Sequence, residues 1–357
     1  MSLRFYKGKR VLITGHTGFK GSWLTAILLK AGAEVYGYAL EPETDPSAFE
    51  LMGLSDVLKD RSVIGDVRDL NELKRAFEKA KPEIVFHLAA QPIVRTSYEE
   101  PVRTYETNVL GTVNLLECVR TGDSVKCVVN VTTDKVYENR ETGEPMHETD
   151  RLDGFDPYSN SKSCSELVTG AYVRAFLSEN GVAVSTARAG NVIGGGDYSR
   201  DRLIPDAVRA AKENRALLIR NPSSVRPYQH VLDPLFAYLM IGEAAFTDKS
   251  SAGAYNIGPD PSDCLKTEDM ARMFTEAWGE GRTYLARPDN GPHEAGLLRL
   301  DNTKLKETFG WKPVWDAETA IRMTVAWEKA EDKRTETERE IDSFCALFER
   351  NVQCLKK

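Results

Sequence analysis

The first half of the chain alternates short apolar runs with longer segments whose apolar residues recur at helical spacing. The apolar runs predict six strands, at residues 10–14, 34–39, 62–64, 83–88, 126–132 and 182–187. The segments 22–31, 71–80 and 101–120 between them are predicted helices. Strands that are apolar almost throughout are typical of a parallel sheet covered by helices on both faces. We therefore predict an α/β protein with a doubly wound parallel sheet.

The pattern changes after Arg188, where glycine, proline and aspartate become frequent and the predicted elements become short. We expect residues 1–188 to form the sheet domain and residues 189–357 to form mainly a smaller C-terminal α/β domain, which binds substrate over the carboxyl edge of the sheet. A segment near 229–258 is expected to return to the first domain. The highly charged stretch from Glu328 to Glu340 predicts a solvated helix face.

The composition argues against several classes of protein. The 357 residues include 47 Lys and Arg against 54 Asp and Glu, and this net charge of −7 disfavours a nucleic-acid binder with a basic surface. No apolar run approaches the ~18 residues of a membrane helix, and the polar, basic start has no signal-peptide core. The six cysteines are scattered, as expected for reduced thiols in a cytoplasmic protein. At this length the core needs no structural metal.

A glycine-rich loop follows the first predicted strand. Gly15, Gly18 and Gly21 are spaced G-x-x-G-x-x-G between a strand and a helix, and this context favours a phosphate-binding loop over a plain turn. Glycine lets backbone N–H groups and the helix N-terminus approach a pyrophosphate closely. Thr17 and Phe19 lie in the same loop and are expected to contact the cofactor.

The residues expected around the adenosine half of a dinucleotide leave alternatives open. Ala39 occupies the strand end where an acidic ribose partner is usual, and Glu41 nearby is either that partner or a loop carboxylate, so NAD is favoured over NADP only weakly. Asp66 and Val67 after the third strand either contact adenine or begin the next helix. For His16, a local hydrogen bond is favoured over a phosphate contact.

Candidate catalytic residues follow the later strands. Tyr158 and Lys162 are four residues apart after a helix-start signal, so one helix face carries a phenol and an ammonium group. Nearby positive charge favours the phenolate, which would make Tyr158 an acid–base group. Further catalytic candidates at the carboxyl edge of the sheet are Thr133, Asp134 and Lys135. At the same edge, Ala89, Ala90, Gln91 and Thr132 are expected to contact the cofactor. Taken alone, each charged pair could equally be a surface feature of little energetic value.

Together these motifs resemble the extended short-chain dehydrogenase/reductase family, whose members act on nucleotide sugars. The resemblance rests on the glycine loop and on His87-Leu88-Ala89-Ala90, Asn108 within Thr107–Thr112, Thr133, Tyr158 with Lys162, and Arg226–Val231. It implies a Rossmann fold, NAD as cofactor, and a cofactor site that includes Asn108, Thr132, Tyr158 and Lys162. It also implies a homodimer formed by the helix at 101–120 and the helix near Pro157, with a tetramer as the larger alternative.

Within this family the residues after the catalytic threonine separate the reactions. Thr133 followed by Asp134 resembles the 4,6-dehydratases, whereas epimerases carry small residues there. Lys135 stands where those dehydratases usually have Glu, and this departure is similar to the members that act on CDP-glucose. The resemblance implies that Tyr158 takes the C4 hydroxyl proton during oxidation, that Asp134 protonates the leaving C6 hydroxyl, and that hydride returns to C6. Lys135 is either the C5 base or a group that positions Asp134.

The resemblance also implies substrate contacts, most of them in the second domain. The residues that match are Gln91, Ser97, Asn191, Arg202, Asn221, Arg226 and His230. Arg226 is the favoured diphosphate partner, because a planar guanidinium suits phosphate oxygens and the residue lies in a long matching segment. Tyr98 is either a hexose neighbour or a core residue, and His293-Glu294 is similar to a late motif of the CDP-glucose members.

Other functions remain open at this point. One is a 4,6-dehydratase that uses GDP-mannose or dTDP-glucose, and another is a 4-epimerase, which Asp134 disfavours. A third is a non-enzymatic cofactor-binding regulator, which the set of Thr133, Tyr158 and Lys162 disfavours. No metal, nucleic-acid or membrane partner is expected.

Overall fold

Twelve strands are present in the computed structural model, which describes residues 3–287 and 298–354. They are β1 (Arg10–Thr14), β2 (Glu34–Ala39), β3 (Ser62–Ile64), β4 (Ile84–His87), β5 (Cys127–Val131), β6 (Ala183–Ala189), β7 (Asn191–Ile193), β8 (Leu217–Ile219), β9 (Val225–His230), β10 (Ala254–Ile257), β11 (Cys264–Lys266) and β12 (Tyr284–Ala286).

The same residues form fourteen α-helices. They are α1 (Phe19–Lys30), α2 (Ala48–Leu51), α3 (Leu54–Leu58), α4 (Leu70–Ala80), α5 (Val94–Glu99), α6 (Pro101–Tyr105), α7 (Gly111–Thr121), α8 (Pro157–Tyr172), α9 (Leu203–Lys212), α10 (Leu232–Thr247), α11 (Thr267–Trp278), α12 (Thr303–Phe309), α13 (Ala317–Lys329) and α14 (Lys333–Cys354). Wider π-helical turns at Glu106–Leu110 and Val173–Leu177 extend the layer beside α7 and α8.

The central sheet has seven parallel strands in the order β10-β6-β5-β4-β1-β2-β3. The strand order reverses between β1 and β4, which creates the crevice where such sheets bind ligands. The prediction of a doubly wound parallel sheet is confirmed. All six predicted strands belong to it, and the seventh, β10, pairs with β6 at the edge.

Successive residues of strand β1 pack into the hydrophobic clusters on opposite faces of the sheet. Val11 and Ile13 of β1 pack into the cluster beneath α1, α10 and α14, while Leu12 packs into the cluster beneath α4 and α7. Strands buried on both faces must be apolar at successive positions, which is why they appear as unbroken apolar runs in the sequence. The helices packed on the two faces thus fix the strands side by side, with their carboxyl ends along one edge of the sheet.

The segments after β6 build a smaller region over that edge. It contains a three-stranded sheet of β11, β9 and β7 and a two-stranded sheet of β12 and β8. Helices α9, α11 and α13 cover a third hydrophobic cluster beside these strands. The smaller α/β region therefore covers one side of the crevice.

Most of the charged stretch from Glu328 to Glu340 is exposed or half-buried, as its composition predicts, but the two residues at its ends are not. It spans the end of α13 and the start of α14, and both Glu328 and Glu340 are buried. Glu328 accepts hydrogen bonds from the backbone N–H of Gly196 (3.0 Å) and from Lys212 Nζ (2.6 Å). The predicted solvated face is therefore present between these ends, and Glu328 departs from it because its partners are distant in sequence.

Within the described part of the chain, no helix is long and apolar enough to span a membrane.

Candidate active site

A cavity of ≈ 740 Å³ opens at the carboxyl edge of the central sheet. Its walls include the loops after β1, β4 and β5 and the first turns of α8, with β7 and residues 196–206 opposite. The cavity coincides with the reversal of strand order, and its volume lies within the ~300–1,000 Å³ common for small-molecule sites.

The glycine loop forms one wall, and at two of its positions the space admits only glycine. Gly15 adopts φ +78°, and a Cβ there would lie 2.8 Å from the backbone nitrogen of Ala89. A Cβ on Gly21 would lie 2.0 Å from the Gly15 carbonyl oxygen. α1 begins directly after Gly18, so its first-turn N–H groups stand at the wall, a cradle that fits a pyrophosphate. Five loop residues predicted to bind cofactor line the cavity: Gly15, Thr17, Gly18, Phe19 and Gly21.

The end of the cavity beyond β2 and β3 is acidic. Glu41, Asp66 and Val67 line it, as predicted for the adenosine half of a dinucleotide. The Asp66 carboxylate accepts bonds from the backbone N–H (2.9 Å) and guanidinium (2.6 Å) of Arg68. Burial acts to raise the pKa of Asp66, but these bonds outweigh it and hold that pKa below its usual value. Carboxylates here suit free ribose hydroxyls better than a 2′-phosphate, which favours NAD over NADP.

The loop after β4 is held by Asn108 and Gln91. The Gln91 N–H donates to Asn108 Oδ1 (2.8 Å), and Asn108 Nδ2 donates to the Gln91 carbonyl (3.1 Å) and to Ser161 Oγ (2.9 Å). The Gln91 side chain donates to Thr104 Oγ1 and accepts from the Ile93 N–H. Both ends of its amide are thus engaged within the protein, and Gln91 does not line the cavity, so its contact with the cofactor or the substrate stays a prediction.

Three residues directly after β5 form a hydrogen-bonded group. Thr133 Oγ1 donates to Asp134 Oδ1 (2.9 Å), and Lys135 Nζ donates to the same oxygen (3.3 Å) and to Asn191 Oδ1 (3.4 Å). Asp134 is 1% exposed and lies behind the wall formed by Thr133 and Lys135. Its Oδ2 has no hydrogen-bond partner among the described residues. An unpaired buried oxygen is costly, so Oδ2 is the atom of this group with capacity for a ligand.

Helix α8 brings Tyr158 and Lys162 to the same cavity. The helix starts at Pro157 because Asp156 caps it, accepting from the Ser159 N–H at 2.9 Å. One turn of spacing then places the phenol and the amine on the wall beside Thr133.

Burial dominates the electrostatics of this pair in the protein alone. Burial raises the pKa of Tyr158 to about 12, although a hydrogen bond with Thr133 acts in the opposite direction. Burial also lowers the pKa of Lys162 to about 8, and its Nζ donates to the Val131 carbonyl (3.1 Å). Tyr158 is therefore a neutral phenol in the protein alone. The phenolate expected beside Lys162 needs further positive charge.

A buried ion pair behind these groups was not anticipated from the sequence. Arg188 donates to both oxygens of Glu166 (3.0 and 2.9 Å), and Glu166 also accepts from Thr132 Oγ1 (2.6 Å). Glu166 lies one helical turn after Lys162, and Arg188 lies near the end of the fully buried strand β6. An arginine inside a fully buried strand is the sequence signal that would have indicated such a pair.

The opposite wall carries most of the predicted substrate contacts. Asn191, Arg202, Asn221 and Arg226 all line the cavity. Arg202 Nη1 lies 3.4 Å from Asp197 Oδ2 and remains one-third exposed. Guanidinium groups on a cavity wall suit the oxygens of a diphosphate.

Two other predicted substrate residues do not line the cavity. Ser97 is fully buried, and its hydroxyl donates to the Val94 carbonyl (2.6 Å). His230 is also fully buried, with its ring centroid 4.7 Å from that of Trp315 and its Nε2 3.6 Å from Glu340 Oε2. Burial lowers the pKa of His230 to about 3. The Arg226–Val231 motif turns this side chain into the core because successive strand residues face opposite sides.

Three remaining expectations concern single residues. His16 is buried, and its Nε2 lies 2.7 Å from Ser62 Oγ, so the histidine forms a hydrogen bond within the protein, but with a partner 46 residues away rather than the predicted local one. Tyr98 is 40% exposed and lies outside the cavity lining, so neither interpretation of it holds. His293-Glu294 lies outside the described residues.

Comparison with known proteins agrees with this arrangement. The chain matches the family described as GDP-mannose 4,6 dehydratase over residues 12–324. It is 45% identical to a CDP-glucose 4,6-dehydratase of Salmonella typhimurium, with 97% of this chain and 99% of that protein covered. A UDP-glucose 4-epimerase of Thermus thermophilus in complex with NAD has a TM-score of 0.75 at 27% identity, covering 90% of this chain and 99% of that one. A dTDP-glucose 4,6-dehydratase of Bacillus anthracis in complex with NAD has the same fold, with a TM-score of 0.74 at 23% identity over 92% of this chain and 100% of that one.

Proposed function

The chain belongs to the GDP-mannose 4,6 dehydratase family, and on that premise we propose that it is an NAD-dependent enzyme that converts CDP-D-glucose into CDP-4-keto-6-deoxy-D-glucose and water. The environment of Asp134 is the main support for this proposal. It is a buried carboxylate beside Thr133, with one oxygen free of hydrogen bonds among the described residues. Inversion at C4 needs no acid at this position, whereas loss of the C6 hydroxyl needs one.

The glycine cradle and the acidic end of the cavity fit NAD. Gly15, Gly18 and Gly21 would hold its pyrophosphate, and Asp66 and Glu41 would border its adenosine. When bound, NAD would supply a hydride acceptor for C4 of the sugar and a hydride donor for C6, and its ring, which is cationic before reduction, would favour the Tyr158 phenolate.

Tyr158 is the proposed acid–base group at O4. Because burial keeps it neutral in the protein alone, it becomes a base only when positive charge enters the cavity. A hydrogen bond with Thr133 opposes the rise of the Tyr158 pKa, and the same threonine hydroxyl lies 2.9 Å from Asp134 Oδ1, so Thr133 connects the two proposed acid–base groups. Lys162 is anchored to the Val131 carbonyl and supplies positive charge one turn away.

Asp134 is the proposed acid for the C6 hydroxyl. The Oδ1 atom is held by Thr133 and Lys135, which leaves Oδ2 to carry a proton to the leaving oxygen. Lys135 spans Asp134 and Asn191, and this contact supports a positioning role for the lysine rather than that of the C5 base. Because the hydrogen bonds to Oδ1 fix the orientation of the carboxyl group, they also orient Oδ2, and a well-oriented group is a better general acid.

The second wall is proposed to bind the nucleoside diphosphate. Arg202 and Arg226 are suited to its phosphates, and Asn221 and Asn191 to its polar edges. Asp197 holds Arg202 beside the cavity while leaving most of its donors unused.

The two parts of the chain are assigned different ligands. We propose that residues 1–188, together with a return near 229–258, bind NAD, and that residues 189–357 mainly bind the nucleotide sugar. The free thiols of the five described cysteines support a cytoplasmic location.

A homodimer is proposed through the layer of α6, α7 and α8. Large apolar side chains are exposed there, including Val102 at 69%, Leu110 at 45%, Leu167 at 58% and Phe176 at 43%. The helices that carry them pack against one another, so the exposed residues belong to one layer suited to a second copy. Light scattering at micromolar concentration should give twice the mass of the chain, and a monomer mass would contradict this assembly.

Substrate competition tests the proposed specificity. CDP-glucose, dTDP-glucose, UDP-glucose and GDP-mannose are supplied together at equal concentration with NAD, and products are separated by nucleotide. We expect the highest kcat/KM for CDP-glucose, because a site matched to the hydrogen bonds of cytosine rejects other bases by about 10⁴-fold. Preference for another nucleotide sugar would overturn the specificity and leave the dehydratase chemistry standing.

A further inference from the structure

One part of the cavity wall combines apolar side chains with an acid–arginine pair. Ile204 of α9 and Leu218 of β8 line the cavity, and Leu218 is 46% exposed. Asp206 of α9 and Arg220, directly after β8, line the same cavity. Because α9 and β8 pack against each other, these four residues belong to one part of the wall. Apolar side chains suit the faces of a planar ring, and a few polar groups suit its edge.

This part of the wall lies away from the reacting centre. The charged groups with the largest effects on the pKa of Asp206 are Arg209, Arg220 and Asp201. Arg202, one turn earlier in the chain, acts instead on the pKa of Tyr158. A nucleotide sugar with its hexose at Tyr158 and its diphosphate at Arg202 would therefore extend its base toward Asp206 and Arg220.

The Asp206 carboxylate is held at one oxygen. Its Oδ1 accepts a hydrogen bond from the Arg209 guanidinium, which also donates to the carbonyl oxygens of Tyr198 (2.9 Å) and Ser199 (3.1 Å). Its Oδ2 lies 3.7 Å from Arg220 Nη2, which is an ion-pair distance but too long for a hydrogen bond. An acceptor and a donor thus lie side by side on the wall, and both have capacity for a ligand.

Resting on the proposed function, we propose that Asp206 and Arg220 are specificity-determining residues that distinguish cytosine from uracil and thymine. The 4-amino group of cytosine donates to Asp206 Oδ2, and the unprotonated N3 of the ring accepts from Arg220. Uracil and thymine carry a carbonyl oxygen at C4 and a proton on N3. Both contacts are then lost and like groups face each other, which is how a site rejects the wrong partner.

A carboxylate is better suited to this discrimination than an amide. It only accepts hydrogen bonds and repels the C4 oxygen of uracil, whereas asparagine can turn its NH₂ group toward that oxygen. Asp206→Asn should therefore relax the choice of base rather than abolish binding. The fold should survive, because Arg209 and Arg220 are both more than a quarter exposed and keep other partners, the Tyr198 carbonyl and Asp201.

Nucleotide binding without turnover tests the proposal. Dissociation constants for CDP and UDP are measured by calorimetry on the full-length protein with saturating NAD, for wild type, Asp206→Asn, Arg220→Met and the control Asp269→Asn. The control matches Asp206 because Asp269 is also an exposed-helix carboxylate paired with an arginine three residues on, Arg272 at 3.6 Å. We expect the ratio Kd(UDP)/Kd(CDP) to fall at least about tenfold in Asp206→Asn and in Arg220→Met, and to keep its wild-type value in the control.

A CDP analogue whose base lacks the 4-amino group supplies a readout on the wild-type protein. The diphosphate of 2-pyrimidinone riboside keeps N3 and the C2 oxygen and loses only the amino group. Wild type should bind this analogue at least about tenfold more weakly than CDP. Asp206→Leu, which removes the acceptor, should abolish that difference, whereas Arg220→Met should keep it.

The outcomes separate this proposal from the proposed function. If wild type prefers CDP and either variant keeps the wild-type ratio, the role of that residue in reading the base is refuted while the proposed function stands. An equal loss of affinity for CDP and UDP would also refute the role, because it assigns the residue to the diphosphate or the ribose. If wild type binds UDP as tightly as CDP, the specificity in the proposed function fails, and this proposal fails with it.

Discussion

Replacing Asp134 with asparagine should separate oxidation from dehydration. Asparagine has the same shape, and its carbonyl oxygen can still accept from Thr133 and Lys135, whose donors stand 2.9 and 3.3 Å from Oδ1. Lys135 is 26% exposed and keeps its bond to Asn191, so loss of the carboxylate leaves no fully buried unpaired charge. The fold and the cofactor cradle should therefore survive, while the proton for the C6 hydroxyl is lost.

The expected decrease in the dehydration rate follows from the loss of an acidic proton, which the asparagine amide cannot donate. Loss of a general acid costs ~10²–10⁴-fold, which raises the dehydration barrier by about 3–5 kcal/mol. The oxidation step does not use this proton and should change little. In a single turnover followed by NADH fluorescence, the reduced cofactor should accumulate while the 6-deoxy product forms slowly.

A matched control separates this role from general damage. Asp153→Asn removes a carboxylate that is 46% exposed and paired with Arg151, and turnover should stay normal. If Asp134→Asn instead abolishes NADH formation yet retains elimination from a pre-oxidised 4-keto substrate, the acid has been assigned to the wrong residue.

Three further predictions follow from the same geometry. Tyr158→Phe should lower kcat by ~10²–10⁴-fold while NADH still binds, as a turnover assay and a fluorescence titration would show; near-normal turnover would refute its role. Gly21→Ala places a Cβ 2.0 Å from the Gly15 carbonyl oxygen, so the same titration should show NADH affinity reduced by at least about tenfold. Burial raises the pKa of Asp233 to about 8 against ~3.9 in the unfolded chain, so the folded state holds a proton that the unfolded state releases. The free energy of unfolding should therefore decrease as pH rises from about 4 to 8, and denaturant curves at pH 5 and 8 should show a smaller decrease in Asp233→Asn; an equal decrease would exclude Asp233.

Much of the fold was predictable because its signals are local. Strand β1 is apolar at successive positions since Leu12 faces one core and Val11 and Ile13 face the other, and that pattern appears directly in the sequence. The glycine loop was recognisable for a similar reason, because the spacing of Gly15 and Gly21 reflects a close approach within a few residues.

The failures share one physical cause. Glu328 was predicted to be exposed from its charged neighbours, but its partners Gly196 and Lys212 lie more than a hundred residues away. His230 stands in a matching motif, yet its side chain points into the core against Trp315. Burial and charge at these positions depend on tertiary contacts, which periodicity does not encode.

The fate of one labelled hydrogen tests the central claim most directly. CDP-glucose carrying deuterium at C4 is incubated with the protein and catalytic NAD, and the product is examined by NMR and mass spectrometry. The account predicts a 4-keto sugar whose deuterium has moved to the C6 methyl group, because a single bound cofactor takes the hydride from C4 and returns it to C6. A product that keeps its C6 hydroxyl and carries the deuterium at an inverted C4 would contradict the account and identify an epimerase.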